Sequence, residues 1–228
     1  MILRRLGSLA LSAALVAALA ACSGDDDPAA SGETDAPAGT ESASPYLPVP
    51  DGVALTPQGT HLEVGDQGVV AWEPRQDEVG VLDLTVTKLE RTTTAKALSA
   101  WQLTKEQERS TPYFVHVTVE NVGETDLGGR RVPLYVVNED DLLLESTPFA
   151  SSFTPCPSTP LPEKFRPGAR KDVCLVYLAP DRGSLEAVSF RPDETFDPII
   201  WTGEVERYVP TKPEKKPKGK NDGKGPND

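Results

Sequence analysis

An all-β fold, a sandwich of two sheets, is the class this sequence predicts, and three observations carry the prediction. Over a central stretch of about 150 residues, apolar side chains fall mostly at every second position. The apolar runs there are short, rich in β-branched residues and separated at near-regular intervals by turn-forming residues. Sequence of low complexity flanks the stretch on both sides, which leaves core-forming sequence for one domain.

Before that domain the chain opens with Arg4 and Arg5, then runs through Ala- and Leu-rich sequence from Leu6 to Ala21. Charge followed by an apolar run is the plan of a secretory signal, and the run is shorter than the ~20 residues a spanning helix needs. It ends in Leu19-Ala20-Ala21-Cys22, which resembles the lipobox of bacterial lipoproteins. That resemblance implies cleavage after residue 21 and a diacylglycerol on the Cys22 thiol. Small side chains at Ala20 and Ala21 let extended backbone enter a peptidase, and a thiolate is the nucleophile that accepts lipid. Acyl chains contribute about 0.8 kcal/mol per buried CH₂, and two of them hold a protein on a membrane. The expected location is the extracytoplasmic face of the cell membrane.

Residues 22–52 read as the tether that follows such an anchor. From Ser23 on they contain no Lys or Arg, and their first large apolar side chains are Tyr46 and Leu47. Such sequence cannot bury enough surface to offset its ordering entropy. About 30 residues of flexible chain reach ~30 Å.

The strands of the domain, residues 53–210, follow in order. The segment 79–90 sets Leu82, Leu84 and Val86 against Asp83, Thr85 and Thr87. The segment 113–123 sets Tyr113, Val115, Val117 and Val119 against Phe114, His116, Thr118 and Glu120. Both patterns predict half-buried antiparallel strands. Further strands are predicted over 62–72, 132–137, 141–145, 173–179, 185–191 and 199–207, with turns at Asn138–Asp141 and Asp181–Gly183. The stretch 94–109 is rich in helix formers such as Ala95, Ala97 and Ala100. Leu103 falls opposite the Leu98, Trp101, Lys105 face, so the stretch reads as a connection with one short helical turn, ended by Pro112. Residues 211–228 carry six lysines and no large apolar residue, and read as a basic, disordered tail.

With Cys22 lipidated, Cys156 and Cys174 remain. An even pair in an exported chain predicts one disulfide, and the spacing suits neither a C-x-x-C redox pair nor a zinc site. The Pro-rich segment 154–168 that it would staple is either a rigid cover over the sandwich or a presented surface.

Net charge is −12, and loss of Arg4 and Arg5 with the leader makes it more negative. Such a protein is expected not to bind nucleic acid, whose phosphates would repel it. No catalytic constellation is visible. His61 and His116 are the only histidines, and no G-x-S-x-G is present. His116 falls opposite the apolar face of its strand and reads as a surface residue, while His61 reads as part of an entry loop. Clustered acids at 138–141 and at Asp193, Glu194 and Asp197 leave open a hydrolase using paired carboxylates. A calcium site at 138–141 also stays open, although a hairpin turn explains that stretch more simply. Of Trp72, Trp101 and Trp201, Trp101 is the one expected to be exposed and available as a ligand surface.

The segments "TPYFVHVTVENVGETDLGG" (111–129), "CPSTPLPEKFRPGARKDVCLVYLAP" (156–180) and "FRPDETFDPIIW" (190–201) resemble actinobacterial secreted lipoproteins with a telokin-like, immunoglobulin-like domain. The resemblance covers roughly residues 75–202. It rests on Asn121-x-Gly123 at a strand end and Phe165-x-Pro-Gly168 before another strand. It implies an immunoglobulin-like sandwich outside the cell and no activity. The expectation is therefore a lipid-anchored binding or scaffolding module, not an enzyme, without cofactor or metal. Its expected partners are the membrane through Cys22, and envelope proteins or anionic wall polymers. A wall-modifying hydrolase and a purely structural envelope spacer are the alternatives.

Overall fold

The structure, a computed structural model, describes residues 45–149 and 153–210. Cys22, the leader, the tether up to residue 44 and the tail 211–228 lie outside the described residues.

Strands β1 (His61–Glu63) and β2 (Gln67–Arg75) come from what reads as one strand. The break has a local cause: Asp66 accepts the Glu63 amide through its carboxylate, closing a turn that carries the chain from one sheet to the other. A two-residue turn at 76–77 leads into β3 (Glu78–Arg91), the longest strand. Two one-turn helices follow, α1 (Thr94–Ala97) and α2 (Lys105–Arg109), where the alanine content predicted one. Thr93 caps the first, and Thr104 with Gln107 forms a capping box on the second. Then come β4 (Thr111–Asn121), the hairpin β5 (Tyr135–Val137) and β6 (Leu143–Glu145), and β7 (Arg170–Ala179). The chain ends in β8 (Ala187–Phe190), β9 (Ile199–Thr202) and β10 (Val205–Arg207). The predicted strand over 199–207 also divides, because the chain changes sheets at Gly203–Glu204.

One sheet has the order β1-β9-β8-β5-β6 and the other β10-β3-β4-β7, with β2 also paired to β3. Because β4 occupies one edge of β3, strands β2 and β10 share the other, β2 antiparallel along its first part and β10 parallel along its last. The two sheets enclose a core of alternating side chains, among them Leu82, Leu84, Val115, Tyr177, Phe190 and Trp201. The all-β sandwich is thus present. Burying one such large side chain contributes about 1.5–3 kcal/mol. Three of the polar tips in this core are satisfied: the Tyr177 hydroxyl donates to the Leu134 carbonyl at 2.8 Å, the Tyr113 hydroxyl to that of Gly183 at 3.1 Å, and the Trp201 indole to that of Asp66 at 3.2 Å.

Packing begins earlier than residue 53. The Tyr46 hydroxyl accepts the Ala71 amide at 3.0 Å, and its ring meets Phe196 edge-on. The chain therefore joins the sandwich near the start of β3, since Ala71 pairs with Val81.

A second hydrophobic cluster lies on the outward face of the β3-β4-β7 sheet. Phe114 and Val176 are buried there beneath Leu98, Phe153 and Cys156, with Trp101, Phe149 and Tyr208 at the margin. Of the two readings of the Pro-rich segment, the cover is correct. It is stitched down by Leu127 to Phe165, Gly129 to Pro162 and Leu161 to Arg130 backbone bonds, and by the Cys156–Cys174 disulfide, with Cα atoms 5.1 Å apart. Gly128 has no alternative here, because a Cβ would stand 2.0 Å from the Glu163 carbonyl oxygen.

Candidate functional site

The C-terminal end of β3 is re-phased by one residue. Val86 pairs with Val117 and Lys88 with His116, leaving Thr87 as a bulge. Lys88 and Glu90 consequently face outward and Leu89 inward, the reverse of a continued alternation. Outward, Lys88, His116 and Cys174 form one cross-strand row. Glu90 joins it: one carboxylate oxygen lies 2.7 Å from Lys88 Nζ and the other 2.8 Å from His116 Nε2. Burial pushes the Glu90 carboxyl up, but the Lys88 and His116 bonds outweigh it and hold it below its usual range.

Cys174 Sγ lies 3.8 Å from the same nitrogen, His116 Nε2. A nucleophilic triad needs the nucleophile and the orienting acid on different ring nitrogens of the histidine base. With both on Nε2, and with Cys174 bridged, this row cannot act as a Cys-His-Glu triad. His116 is outward as expected, yet it is bonded to Glu90 rather than simply solvated. His61 is exposed on β1 rather than in a loop.

Acid clusters serve as turns. Asn138 Oδ1 accepts the amides of Asp140 and Leu142, closing the β5–β6 hairpin. Glu139 accepts the Ser184 amide and hydroxyl, and Asp193 accepts the amides of Thr195 and Phe196. The Glu139 carboxyl is held below its usual range first by its own amide and then by Ser184, and the Asp193 carboxyl first by the Thr195 hydroxyl and then by the two amides. Asp83 and Glu120 stand directly opposite each other, with burial raising Asp83. That pair lies on open sheet surface with Arg170 on Glu120. Among the described residues no group of three or more His, Cys, Asp or Glu is placed to hold a metal ion.

Cations without ion pairs among the described residues gather at the C-terminal end of β3. A cleft of about 500 Å³ opens between the β3–α1 junction, the end of α2, the end of β10 and the turn at Pro180–Arg182. Arg91, Lys96, Arg109, Arg182 and Arg207 line it, against the single carboxylate of Glu108. Arg109 pairs with Asp181 at 3.4 Å, and the other four cations have no ion pair among the described residues. Arg91 and Arg207 are direct partners in the β3–β10 ladder. Like charges in that position are destabilising. One step earlier in the same ladder Glu90 and Glu206 also face each other, but Lys88 bridges both, at 2.7 and 3.4 Å. The arginine pair has no such bridge. Thr92, also in the cleft wall, is buried and its hydroxyl has no partner.

The sequence-predicted residues do not form this site. Cys22 lies outside the described residues, and Cys156 and Cys174 are joined beneath the cover. Trp101 is the most exposed of the three tryptophans, but it is half-buried, with its ring 4.8 Å from Phe149 and 6.2 Å from Phe153, and it does not line the cleft. No sequence pattern announces the basic cleft, because its five cations come from five separate elements. Comparison with family models, with characterised proteins and with solved structures returns no match.

Proposed function

We propose that this chain is a lipid-anchored extracytoplasmic binding module, similar in plan to the telokin-like lipoproteins, and that its ligand is an anion held in the basic cleft. The observation that carries the reading is five cations around about 500 Å³ in a protein whose net charge is −12. Against that background a positive cleft attracts anions selectively and directs them to one place on the surface. Its volume falls within the range of small-molecule sites, about 300–1,000 Å³. The lipobox at Leu19–Cys22 and the Cys156–Cys174 disulfide support an exported, membrane-held protein. Tyr46 joins the sandwich near Val81, and the cleft lies at Arg91, roughly 35 Å further along β3.

The test is retention of the full chain on carboxylate and phosphate resins at low salt, with and without the double substitution Arg91→Gln, Arg207→Gln. The lysine-rich tail is the same in both. Elution of the double variant at clearly lower salt is expected; identical elution would reject the cleft as the binding site.

A further inference from the structure

Resting on the reading of the cleft as an anion site, we propose that its ligand carries a diphosphate group. Charge is the first reason. With Asp181 on Arg109 counted beside Glu108, the cations exceed the carboxylates by three, and a single phosphate ester supplies only about −1.5 to −2 at pH 7. One phosphate would leave the facing Arg91 and Arg207 pair incompletely neutralised; two adjacent phosphates match the excess.

Donor geometry is the second reason. Four of the five cations are arginines, whose planar forks bond phosphate oxygens two at a time. They come from β3, α2, the turn at Pro180–Arg182 and β10, with Arg91 and Arg207 side by side in the β3–β10 ladder. Such an arrangement suits a group that presents oxygens in several directions, as a diphosphate does and a planar carboxylate does not. The hydroxyl of Thr92 is the third. A buried hydroxyl without a partner is unfavourable, so a ligand oxygen that reached Thr92 Oγ1 would gain a donor there. The Tyr208 ring at the same opening offers an apolar surface to whatever carries the diphosphate.

Titration calorimetry of the full chain in non-ionic detergent, with pyrophosphate, inorganic phosphate and citrate as probes, tests this. Pyrophosphate is expected to bind at least about tenfold more tightly than the other two, and Arg207→Gln to weaken it about tenfold, as loss of one charge-assisted contact would. Thr92→Val is expected to keep or raise the melting temperature while lowering pyrophosphate affinity severalfold. Citrate carries comparable charge without phosphate geometry. Equal binding of citrate and pyrophosphate would overturn the diphosphate assignment and leave the anion site standing. Binding of none of the three, or binding that Arg91→Gln and Arg207→Gln leave unchanged, would overturn both. A final arm compares free pyrophosphate with farnesyl diphosphate in the same micelles. Tighter binding of the prenyl form assigns a lipid-linked source, and equal binding a soluble one; either supports the diphosphate group.

Discussion

Asn121 shows how much one side chain holds in this fold. It is fully buried, donates through Nδ2 to the carbonyls of Thr125 and Phe165, and accepts the Gly123 amide. The Asn-x-Gly motif is therefore a junction that joins the end of β4 to the Pro-rich cover. Asn121→Ala leaves two backbone carbonyls and one amide to find other partners. It is expected to cost about 2–4 kcal/mol, at roughly 1 kcal/mol or more per bond, read as a lower urea midpoint with unchanged slope. Glu90 sets a pH dependence. Its folded pKa is depressed, so its contribution is present above the ordinary glutamate value of about 4.3 and is lost as pH falls through the folded value. Lys88 is raised, chiefly by its bond to Glu90, so its contribution is full below about 10.4 and is lost as pH rises through the folded value. Glu90→Gln is expected to shrink the difference in urea midpoint between pH 7 and pH 3. An undiminished acid loss would place the sensitivity elsewhere.

At the scale of elements, the Thr87 bulge and the disulfide decide what the outward face of the β3-β4-β7 sheet becomes. The bulge turns Lys88 and Glu90 outward and puts Arg91 beside Arg207. Deleting Thr87 removes the extra residue and leaves Val86 inward, Lys88 outward and Leu89 inward, so that variant is expected to keep the near-ultraviolet dichroism signal of a packed core; loss of that signal would show that the bulge itself is required. The disulfide closes an 18-residue separation between the cover and β7. In the chain-entropy model such a loop contributes about 3 kcal/mol. Cys156→Ala with Cys174→Ala is expected to lose about 2–5 kcal/mol and to make residues 153–160 the first site of proteolysis. Cleavage elsewhere first would mean that the aromatic packing of Phe114 and Phe153, not the bridge, holds the cover.

For the molecule as a whole, charge is distributed by segment. The sequence before the domain is acidic, the cleft is basic, and the lysines of 211–228 begin at Lys212, four residues after Tyr208 at the cleft's edge. Cys22→Ser is expected to abolish incorporation of labelled fatty acid and release the protein from the membrane fraction; continued labelling would remove the anchor from the proposal. Deleting 211–228 is expected to weaken sedimentation with anionic vesicles at low salt, and the difference to vanish as the Debye length shortens from about 10 Å at 0.1 M to about 3 Å at 1 M. Equal sedimentation of both proteins at low salt would leave the tail without an attachment role.

Period-two alternation, turn residues and the count of thiols are local signals, and they determined the all-β class, most strands, the hairpin at Asn138–Asp141 and the Cys156–Cys174 pairing. Alternation is legible because each strand must present one face to a core, whatever that core contains. The bulge at Thr87, the division of the strands over 62–72 and 199–207 and the half-burial of Trp101 were decided by contacts with residues distant in the chain. A strand's pattern does not say where it must change sheets or what will cover its outer face. The cleft belongs wholly to tertiary structure. Arg91, Arg109, Arg182 and Arg207 are ordinary surface residues in their own segments, and only the pairing of β10 on β3 and the packing of α2 against the Pro180–Arg182 turn bring their charges to one opening.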